Sequence, residues 1–564
     1  MPNFLESLFA QLNRADTRVV LREIRGERFV GVTGSELLRQ VRTVQAFLRN
    51  SGIQPGDRCA LLGPNSIAWV AVDLAVMAEG VIVVPLYSRQ APGELAGMVK
   101  DCQPRLLFVS DAALGDAVAQ AWRDAPPRVT LDQALKEEDV SKAAAPDRAI
   151  RRADSDMVTI IYTSGTSGEP KGVCLNVGNL NYMLGRTTER LGQLMTATGG
   201  GGPDRVFHYL PFSFAASWLL LLSCLTRETT LTLSTDLSRL ADEIRLSSPN
   251  YFLNVPALLE RVRRGVEEAL AKRAAPIRSL FEKSRAAWQR QDAGPASPSD
   301  KIWLWLAKKL IFGTINERFG RDLRALICGS APLALETQQF FQMLGIPVLQ
   351  AYGLTETTGV CTMDDPREAA EPGYVGSAIP GIEMKVGEHD EIMTRGPHIF
   401  PGYWNRPEET TRVLEDGWFR TGDQGEMNAS GKWRVHGRIK NLIVLNSGHK
   451  VAPEPMEERI ARLLPAARHV VIVGNGRSYL CALIAGTVAP AAVQEALEVV
   501  NRELPHYRQV RAFKIIGDAF TPESGLLTAM AKLRRDAVSA RFASEINAMY
   551  DDRKQRESLS RQHA

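Results

Sequence analysis

Several features that mark specialised protein classes are missing from this sequence of 564 residues. The formal net charge is only +4, from 68 basic and 64 acidic residues, so the bulk charge gives no support to nucleic-acid binding. The seven cysteines are scattered and no two form a C-x-x-C pair, so the sequence suggests neither a zinc site nor a disulfide framework. A reducing cytosol fits this pattern best.

Long uninterrupted hydrophobic runs are also missing. The longest apolar stretches are 67–87, which Asp73 and Glu79 interrupt, and 218–225. Neither is long and clean enough to span a bilayer, so we interpret both as buried core. The first residues predict an amphipathic helix and lack the basic start and cleavage site of a signal peptide. We therefore expect a cytoplasmic protein whose contact with membranes is at most peripheral.

What is present is the composition of a globular protein, with 45% hydrophobic and 23% charged residues. Up to about residue 330, apolar strand-like runs alternate with stretches of helical spacing, which favours a parallel sheet covered by helices on both faces. Within this part, the segment 258–310 is interpreted either as a solvated helical hairpin or as a functional basic surface. Short strands over 373–436 predict a β-rich unit, and a new α+β unit begins after Gly437.

The stretch 163–172, TSGTSGEPKG, follows the apolar run 157–162 and ends on a lysine and a glycine. Small side chains let backbone N–H groups approach an anion, hydroxyls donate to it, and Lys171 supplies a positive charge. The common phosphate-loop pattern G-x-x-x-x-G-K-[ST] is absent. Pro170 biases Glu169 away from helix, so the loop should not run into a helix at Lys171. The sequence therefore predicts a phosphate-binding loop of another type.

Four further motifs make this interpretation specific, because small polar loops alone are common. They are QAYGLTE at 350–356, GWFRTGD at 417–423, GRIKNLI at 437–443 and LTAMAKLR at 527–534. In this order, the set resembles the adenylate-forming superfamily of acyl-CoA synthetases, acyl-adenylating domains and luciferases. The resemblance covers about residues 15–545. It is strongest to bacterial long-chain fatty-acid–CoA ligases, on GRIKNLIVLNSGHKVAPEPMEE at 437–458, ICGSAPL at 327–333 and the helical insert before it.

The resemblance implies an α/β fold in two parts. A large N-terminal domain would hold two α/β sheet subdomains and a β-rich barrel-like subdomain, and a small α+β C-terminal domain would be mobile. We expect the adenylation domain over 1–437, the mobile lid domain over 438–545 and a polar tail over 546–564.

The resemblance also implies that ATP and AMP are bound by residues from several motifs. The phosphate loop would contribute Thr163, Ser164, Gly165, Thr166, Ser167, Gly168 and Lys171. The other expected nucleotide contacts are Gly329, Ser330, Ala331, Tyr352, Gly353, Thr355, Asp423 and Arg438. Plainer structural interpretations stand beside these: Lys171 could be a surface lysine and Tyr352 a core tyrosine.

The expected catalytic residues are Lys532, Thr355 and Glu356. Glu356 would bind magnesium, which takes one or two carboxylates together with phosphate oxygens and water. Lys532 would bridge the substrate carboxylate and the α-phosphate, where charge develops during attack. Its plainer interpretation is one cation on a basic helix face with Arg534 and Arg535.

For the thiol step, the resemblance implies that the small domain rotates. Lys440 lies at the matching hinge position, and Ser447, Gly448 and His449 match the loop beside the tunnel for coenzyme A (CoA). Glycine suits such a loop because a narrow thiol arm passes close to backbone. Phe214 and Trp218 are the expected acyl gate and pocket residues, with core packing as the alternative for Trp218.

Three functions remain open from the sequence. The first is a long-chain acyl-CoA ligase that uses ATP, Mg²⁺ and CoA. The second is a fatty-acyl-AMP ligase that loads the phosphopantetheine of an acyl carrier protein. The third is a nucleotide-binding scaffold without catalysis, against which the joint presence of Lys171, Glu356, Asp423 and Lys532 argues.

Overall fold

A computed structural model describes residues 3–122, 124–136, 152–164, 170–293, 297–331, 333–517, 520–521, 524–528 and 532–550. Its helices are α1 (Phe4–Arg14), α2 (Gly34–Asn50), α3 (Ile67–Ala78), α4 (Pro92–Cys102), α5 (Ala112–Ala121), α6 (Leu131–Ala134), α7 (Val177–Ala197), α8 (Ala215–Leu225), α9 (Leu240–Ser247), α10 (Pro256–Ala271), α11 (Ala275–Ala293), α12 (Pro298–Ala307), α13 (Gly313–Asn316), α14 (Leu335–Met343), α15 (Pro407–Val413), α16 (Glu454–Leu463), α17 (Pro490–Arg502) and α18 (Arg535–Arg541).

Its strands are β1 (Val19–Arg25), β2 (Arg28–Thr33), β3 (Arg58–Leu62), β4 (Ile82–Leu86), β5 (Leu106–Val109), β6 (Arg128–Thr130), β7 (Met157–Ser164), β8 (Pro170–Asn176), β9 (Asp204–His208), β10 (Thr229–Leu233), β11 (Tyr251–Asn254), β12 (Ala325–Cys328), β13 (Val348–Tyr352), β14 (Thr362–Met363), β15 (Ser377–Ala378), β16 (Glu383–Val386), β17 (Glu391–Arg395), β18 (Gly402–Tyr403), β19 (Leu414–Glu415), β20 (Trp418–Met427), β21 (Trp433–Arg438), β22 (Ile443–Val444), β23 (Lys450–Val451), β24 (Ala467–Val473), β25 (Leu480–Gly486) and β26 (Val510–Ile516).

Two large sheets form the N-terminal part. One has nine strands in the order β15-β14-β13-β12-β11-β9-β10-β1-β2, and its central strands β13 to β1 run parallel. The other has seven strands in the order β18-β8-β7-β4-β3-β5-β6, with a parallel core from β7 to β6. The alternating pattern of the sequence is thus confirmed as an α/β fold, because parallel strands need crossover helices that cover the sheet.

The predicted phosphate loop lies at the tip of a hairpin. Strands β7 and β8 pair in antiparallel fashion, and Thr163 lies opposite Lys171 in their register. The chain therefore continues from Pro170 as a strand, as the proline predicts, since it restricts the residue before it to extended conformations. Residues 165–169 between the two strands lie outside the described part.

A smaller antiparallel sheet follows in the chain. Strands β16, β17, β20 and β19 form a path in that order, and β21 pairs with β20 at the side. This is the β-rich unit that the short strands of the sequence predict. It matters for function because Asp423 in β20 and Arg438 at the end of β21 are directly paired neighbours.

The C-terminal part, residues 443–550, has a core of its own. The three-stranded sheet β24-β25-β26 packs against α16 and α17 on one face, around Ile460, Ile484 and Leu497. On its other face a second apolar cluster includes Met549 and Tyr550. The predicted polar tail over 546–564 is therefore wrong at its beginning: Tyr550 is 5% exposed, and its hydroxyl donates to the Tyr479 carbonyl oxygen at 3.1 Å. Residues 551–564 lie outside the described part.

No helix within the described ranges is both long and apolar enough to cross a bilayer. The segment 258–310, interpreted from the sequence either as a helical hairpin or as a basic surface, contains three helices in its described part, α10, α11 and α12. A π-helical turn at Lys308–Phe312 continues α12 toward α13.

Candidate active site between the large and small parts

A buried carboxylate lies where the large sheet and the antiparallel sheet meet. Asp423 is 3% exposed, and each of its oxygens has a protein partner. The Tyr352 hydroxyl, at the end of β13, donates to Oδ2 at 2.7 Å, and Arg438 Nε forms an ion pair with Oδ1 at 2.6 Å. Burial raises the pKa of Asp423, while Arg438 acts in the opposite direction. Each oxygen keeps a second lone pair, so the carboxylate can accept further hydroxyl donors.

Lys532 reaches the same place from the C-terminal part. Its ammonium interacts electrostatically with Asp423, Glu356, Arg438 and Lys440, although those groups belong to different segments of the chain. The Lys532 side chain remains exposed to solvent. Desolvation by the surrounding groups, together with Arg438 and Lys440, lowers the pKa of Lys532 to about 8. The structure thus places the predicted catalytic lysine within electrostatic range of Asp423 and Arg438.

Glu356 lies in a single 3₁₀ turn, Thr355–Thr357, directly after β13. The Tyr403 hydroxyl donates to Glu356 Oε1 at 2.8 Å. Among the described residues no group of three or more histidine, cysteine, aspartate or glutamate side chains could hold a metal unaided. A magnesium ion at Glu356 would therefore depend on phosphate oxygens and water, which is the coordination that this ion favours. The single carboxylate fits that chemistry.

Lys171 is near this cluster but already has an acidic partner. Its ammonium forms an ion pair with Glu409 of α15 and lies 5.4 Å from the centre of the Tyr403 ring. The motifs of the sequence did not indicate Tyr403 or Glu409. The signal that could have found them is the aromatic pair Tyr403-Trp404 after a glycine, directly before an acidic helix start.

The remaining phosphate-loop residues are placed only in part. Thr163 ends the described backbone of β7 with Ser164, whose side chain is outside the described part, as are Gly165, Thr166, Ser167 and Gly168. Thr355, which was expected to contact phosphate, is 9% exposed and begins the turn that carries Glu356.

An apolar cavity of about 690 Å³, its open mouth included, lies beside this cluster. It is bounded by α7, α8 and the ends of β11, β12 and β13. Gly329, Ser330 and Gly353, three of the expected nucleotide contacts, line one part of it, and Phe214 lines it at the start of α8. A Cβ atom at Gly353 would lie 2.5 Å from the Gly359 carbonyl oxygen, so only glycine fits there. Ala331, by contrast, is exposed and is not among the lining residues.

The pocket prediction for Trp218 needs correction. Its ring is 1% exposed and does not line the cavity, whereas Leu219 and Leu220 beside it do. The Trp218 indole N–H donates to Asp73 Oδ2 at 2.9 Å. Burial raises the pKa of Asp73 to about 7. Trp218 therefore belongs to the core behind α8, because a helix residue next to a lining residue points about 100° away.

The predicted hinge and tunnel residues lie apart from one another. Lys440 is in the 3₁₀ turn Ile439–Asn441 and faces the cleft, where burial and Arg438 lower its pKa. Ser447, Gly448 and His449 are exposed and have no contact with Asp423 or Lys532 among the described residues. The Ser447 hydroxyl and His449 Nδ1 are 2.9 Å apart, and the imidazole stacks on Tyr507 with ring centres 4.2 Å apart.

Comparison with known families gives this geometry a context. The family profile for AMP-binding enzymes matches residues 8–404, and the profile for the C-terminal domain of AMP-binding enzymes matches 440–554. The chain belongs to the AMP-binding enzyme family.

Similar proteins agree with this membership. The chain is 26% identical over 564 residues to a long-chain-fatty-acid–CoA ligase, FadD15, of Mycobacterium bovis, covering 92% of each protein. It is 27% identical to the chloroplastic long-chain-fatty-acid–[acyl-carrier-protein] ligase AEE15 of Arabidopsis thaliana, over 92% of this chain and 82% of that one. A structure of O-succinylbenzoate coenzyme A synthetase of Bacillus subtilis with ATP and magnesium shares the fold, with a TM-score of 0.72 and 20% identity over 95% of this chain and 99% of that one.

Within this AMP-binding enzyme, ion pairs join the small part to the large one. Arg534 Nη1, two residues from Lys532, is 2.8 Å from Glu94 Oε1 in α4. Arg462 Nη1 in α16 is 2.9 Å from Glu336 Oε1 in α14. These partners were not predicted, since nothing in the motifs connects them. Both ion pairs cross between the two parts, and one of them lies two residues from Lys532.

Proposed function

We propose that this AMP-binding enzyme activates a long-chain fatty acid with ATP and then transfers the acyl group to CoA. The observation that carries the proposal is the convergence of Lys532 with Asp423, Arg438 and Glu356 beside an apolar cavity. Charged groups for a phosphorylated nucleotide and an apolar space for an acyl chain then share one cleft. The names of the similar ligases support a fatty acid as the substrate.

In the first half-reaction, a carboxylate oxygen of the fatty acid attacks the α-phosphorus of ATP. The bond from that phosphorus to the bridging oxygen breaks, and pyrophosphate leaves. Lys532 places a compact positive charge between the carboxylate and the α-phosphate, where negative charge builds up. Asp423 and Arg438 orient the ribose, and Tyr352 packs beside the adenine. Such positioning is a large part of phosphoryl-transfer catalysis.

The phosphates are bound by the loop from Thr163 to Lys171, with Thr355 on the opposite side. Magnesium, when bound, neutralises the phosphate charge and makes pyrophosphate a better leaving group. Glu356 would hold it, and the hydroxyl of Tyr403 at 2.8 Å fixes the direction of that carboxylate. Lys171 would exchange its ion pair with Glu409 for the phosphates, since a triphosphate carries more charge than one carboxylate.

In the second half-reaction, a thiol attacks the acyl carbonyl and AMP leaves. The exposed position of Ser447, Gly448 and His449, away from Lys532, supports a rotation of the small part about Lys440 between the halves. The rotation would bring that loop to the tunnel for the thiol. Phe214, at the cavity and directly before the first turn of α8, suits a gate between the acyl and thiol channels.

A carrier protein is the second candidate acceptor. The chloroplastic relative is named for an acyl-carrier-protein acceptor and is 27% identical to this chain. The CoA ligase is 26% identical, so sequence identity does not favour CoA over a carrier protein. Both acceptors present the same phosphopantetheine thiol, so the residues at the tunnel serve either. We propose CoA first, with a cytoplasmic location and Mg²⁺ as the metal.

The test uses the purified full chain with palmitate, ATP and magnesium. We expect pyrophosphate release and, on adding CoA, palmitoyl-CoA with a stoichiometric amount of AMP. If palmitoyl-AMP accumulates in the presence of CoA and only acyl carrier protein discharges it, the acceptor is a carrier protein, which is the second candidate. Pyrophosphate release that does not depend on a fatty acid would overturn the proposal. No pyrophosphate release under any condition would also overturn it and would leave a nucleotide-binding scaffold.

A further inference from the structure

One surface of the molecule exposes large apolar side chains that take no part in the candidate active site. Ile302, Trp305 and Leu310 are 56%, 60% and 63% exposed, and no other large apolar side chain of the described residues exceeds 55%. They occur within nine consecutive residues, on α12 and the π-helical turn that follows it. We name this surface, formed by Lys301, Ile302, Trp305, Lys308, Lys309 and Leu310, the Trp305 face.

The Trp305 face is mounted on a fixed scaffold. Ser297 caps α12 with Asp300 in a reciprocal pair of hydrogen bonds, and Pro298 sits in its first turn. On the opposite side, Ile311 and Phe312 are buried in the apolar cluster that also contains Leu326 of β12. The exposed side chains therefore project from an anchored helix, and they form a convex surface, because side chains more than half exposed do not line a groove.

The charge of this surface has one sign. Lys301, Lys308 and Lys309 are exposed among the apolar side chains, and 301–316 contains no acidic residue. Lys309 Nζ lies 5.3 Å from the centre of the Trp305 ring. Apolar and aromatic tips surrounded by lysines match an interface where apolar chains lie beneath phosphate groups. A second copy would place lysines against lysines in a two-fold contact, which disfavours self-association.

We infer that the Trp305 face docks this protein onto the surface of an anionic lipid bilayer. Ile302, Trp305 and Leu310 enter the headgroup region, and the three lysines bind lipid phosphates. From the sequence, we expect at most peripheral contact with membranes, and the Trp305 face assigns that contact to particular residues. Docking requires no turnover, so it stands or falls independently of the proposed ligase activity.

The experiment measures co-sedimentation of the full chain with large vesicles of phosphatidylcholine alone and of phosphatidylcholine mixed with phosphatidylglycerol. We expect binding to the mixed vesicles that weakens as salt rises. The triple variant Lys301→Gln/Lys308→Gln/Lys309→Gln should lose about fivefold in partition coefficient per lysine, the size found for basic residues near an anionic surface. The double variant Trp305→Ser/Leu310→Ser should lose binding to the mixed vesicles even at low salt.

A matched control changes one exposed apolar residue and one exposed lysine elsewhere, Met427→Ser with Lys514→Gln, and should bind as the wild type does. Thermal melting shows whether each variant is folded. Brominated phosphatidylcholine should quench part of the tryptophan fluorescence, and Trp305→Phe should remove that part while binding is retained. No binding of the wild type to mixed vesicles, or equal binding of all variants, would overturn the inference. So would a dimer in solution that Trp305→Ser/Leu310→Ser converts to a monomer without any effect on vesicles.

Discussion

The two sides of the cleft are built in different ways. On the large side, Tyr352 and Arg438 lie at strand ends and Asp423 lies within β20. The buried Asp423 carboxylate accepts a hydrogen bond from Tyr352 at 2.7 Å and forms an ion pair with Arg438 at 2.6 Å. On the small side, which carries Lys532, the contacts to the large part include the ion pairs Arg534–Glu94 and Arg462–Glu336, whose side chains are about one third exposed. Buried charged hydrogen bonds are costly to break, whereas ion pairs in contact with water contribute about 0–1 kcal/mol each.

This difference suits an enzyme that must keep one substrate while changing its catalytic groups. In the proposed reaction, the nucleotide side would stay assembled through both half-reactions, so rigidity would be useful there. The lysine side would leave after the first half-reaction, and weak contacts that are exchanged with water would allow this at little cost. Variants on both sides of the cleft can test whether the fixed residues act in both half-reactions and the movable residues in only one.

The largest expected effect comes from Lys532→Ala. Adenylation, measured as pyrophosphate release, should fall by about 10²–10³-fold, because one preorganised charge at the transition state is lost. Transfer from supplied acyl-adenylate to CoA should change much less. An equal loss of rate in both half-reactions would group Lys532 with the fixed residues and would contradict the proposed difference between the two sides of the cleft.

Gly448→Leu should have the opposite selectivity. We expect the thiol step to slow by about ten- to a hundredfold, since displacing the reacting groups by about 1 Å costs this much. Pyrophosphate release should be retained. Gly448 has φ +83°, and no atom lies within 4 Å of the place that a Cβ would take, so Gly448→Ala shares the backbone strain without the bulk and is the matched control. If alanine and leucine slow the thiol step alike, strain and not the tunnel is the cause.

Asp423→Asn tests the fixed side and should damage both halves. The KM for ATP should rise by about ten- to a hundredfold, because the buried ion-pair partner of Arg438 is lost. Transfer from acyl-adenylate should weaken as well, since it carries the same ribose. Asp390→Asn, at an exposed position near the same sheet, is the control and should leave both halves unchanged. A loss confined to adenylation would show that Asp423 does not hold the nucleotide throughout.

The pH dependence should follow Lys532. Its lowered pKa, about 8, means that the ammonium is present below this pH and is lost as the pH rises through it. The kcat/KM of adenylation should therefore fall by about tenfold per pH unit above about pH 8, as for loss of an essential protonated group. Lys532→Arg stays charged and should show no such fall, at a lower overall rate. An unchanged falling limb in Lys532→Arg would assign it to another group.

The smallest effect is expected from Glu94→Gln. Adenylation should drop by about two- to fivefold, the size of a partly exposed ion pair, with the thiol step unaffected or faster. The exchange Glu94→Arg with Arg534→Glu should restore adenylation. Glu383→Gln breaks the exposed pair with Arg395 inside the large part and is the control. If the exchanged pair does not restore the rate, the contact does not hold Lys532 in place.

Much of the local structure could be predicted from patterns. The predicted alternation of strands and helices up to about residue 330 and the predicted short strands over 373–436 are both found, because apolar periodicity and turn residues act within a few positions of the chain. The prediction of the tail failed because the composition around residue 546 is polar on average, while Met549 and Tyr550 are buried individually. Averages over a window conceal single anchoring residues.

The sequence by itself determined the motifs, their order, the α/β alternation and the kind of chemistry that a lysine, a glutamate and glycine-rich loops can perform. Only the tertiary structure decided that Lys171 pairs with Glu409, that Tyr403 holds Glu356, that Trp218 donates to Asp73 behind the cavity and that Arg534 meets Glu94. The physical reason is the distance along the chain over which each kind of interaction acts. Periodicity and capping act between neighbours, whereas these contacts join distant segments whose meeting depends on how whole sheets and helices pack.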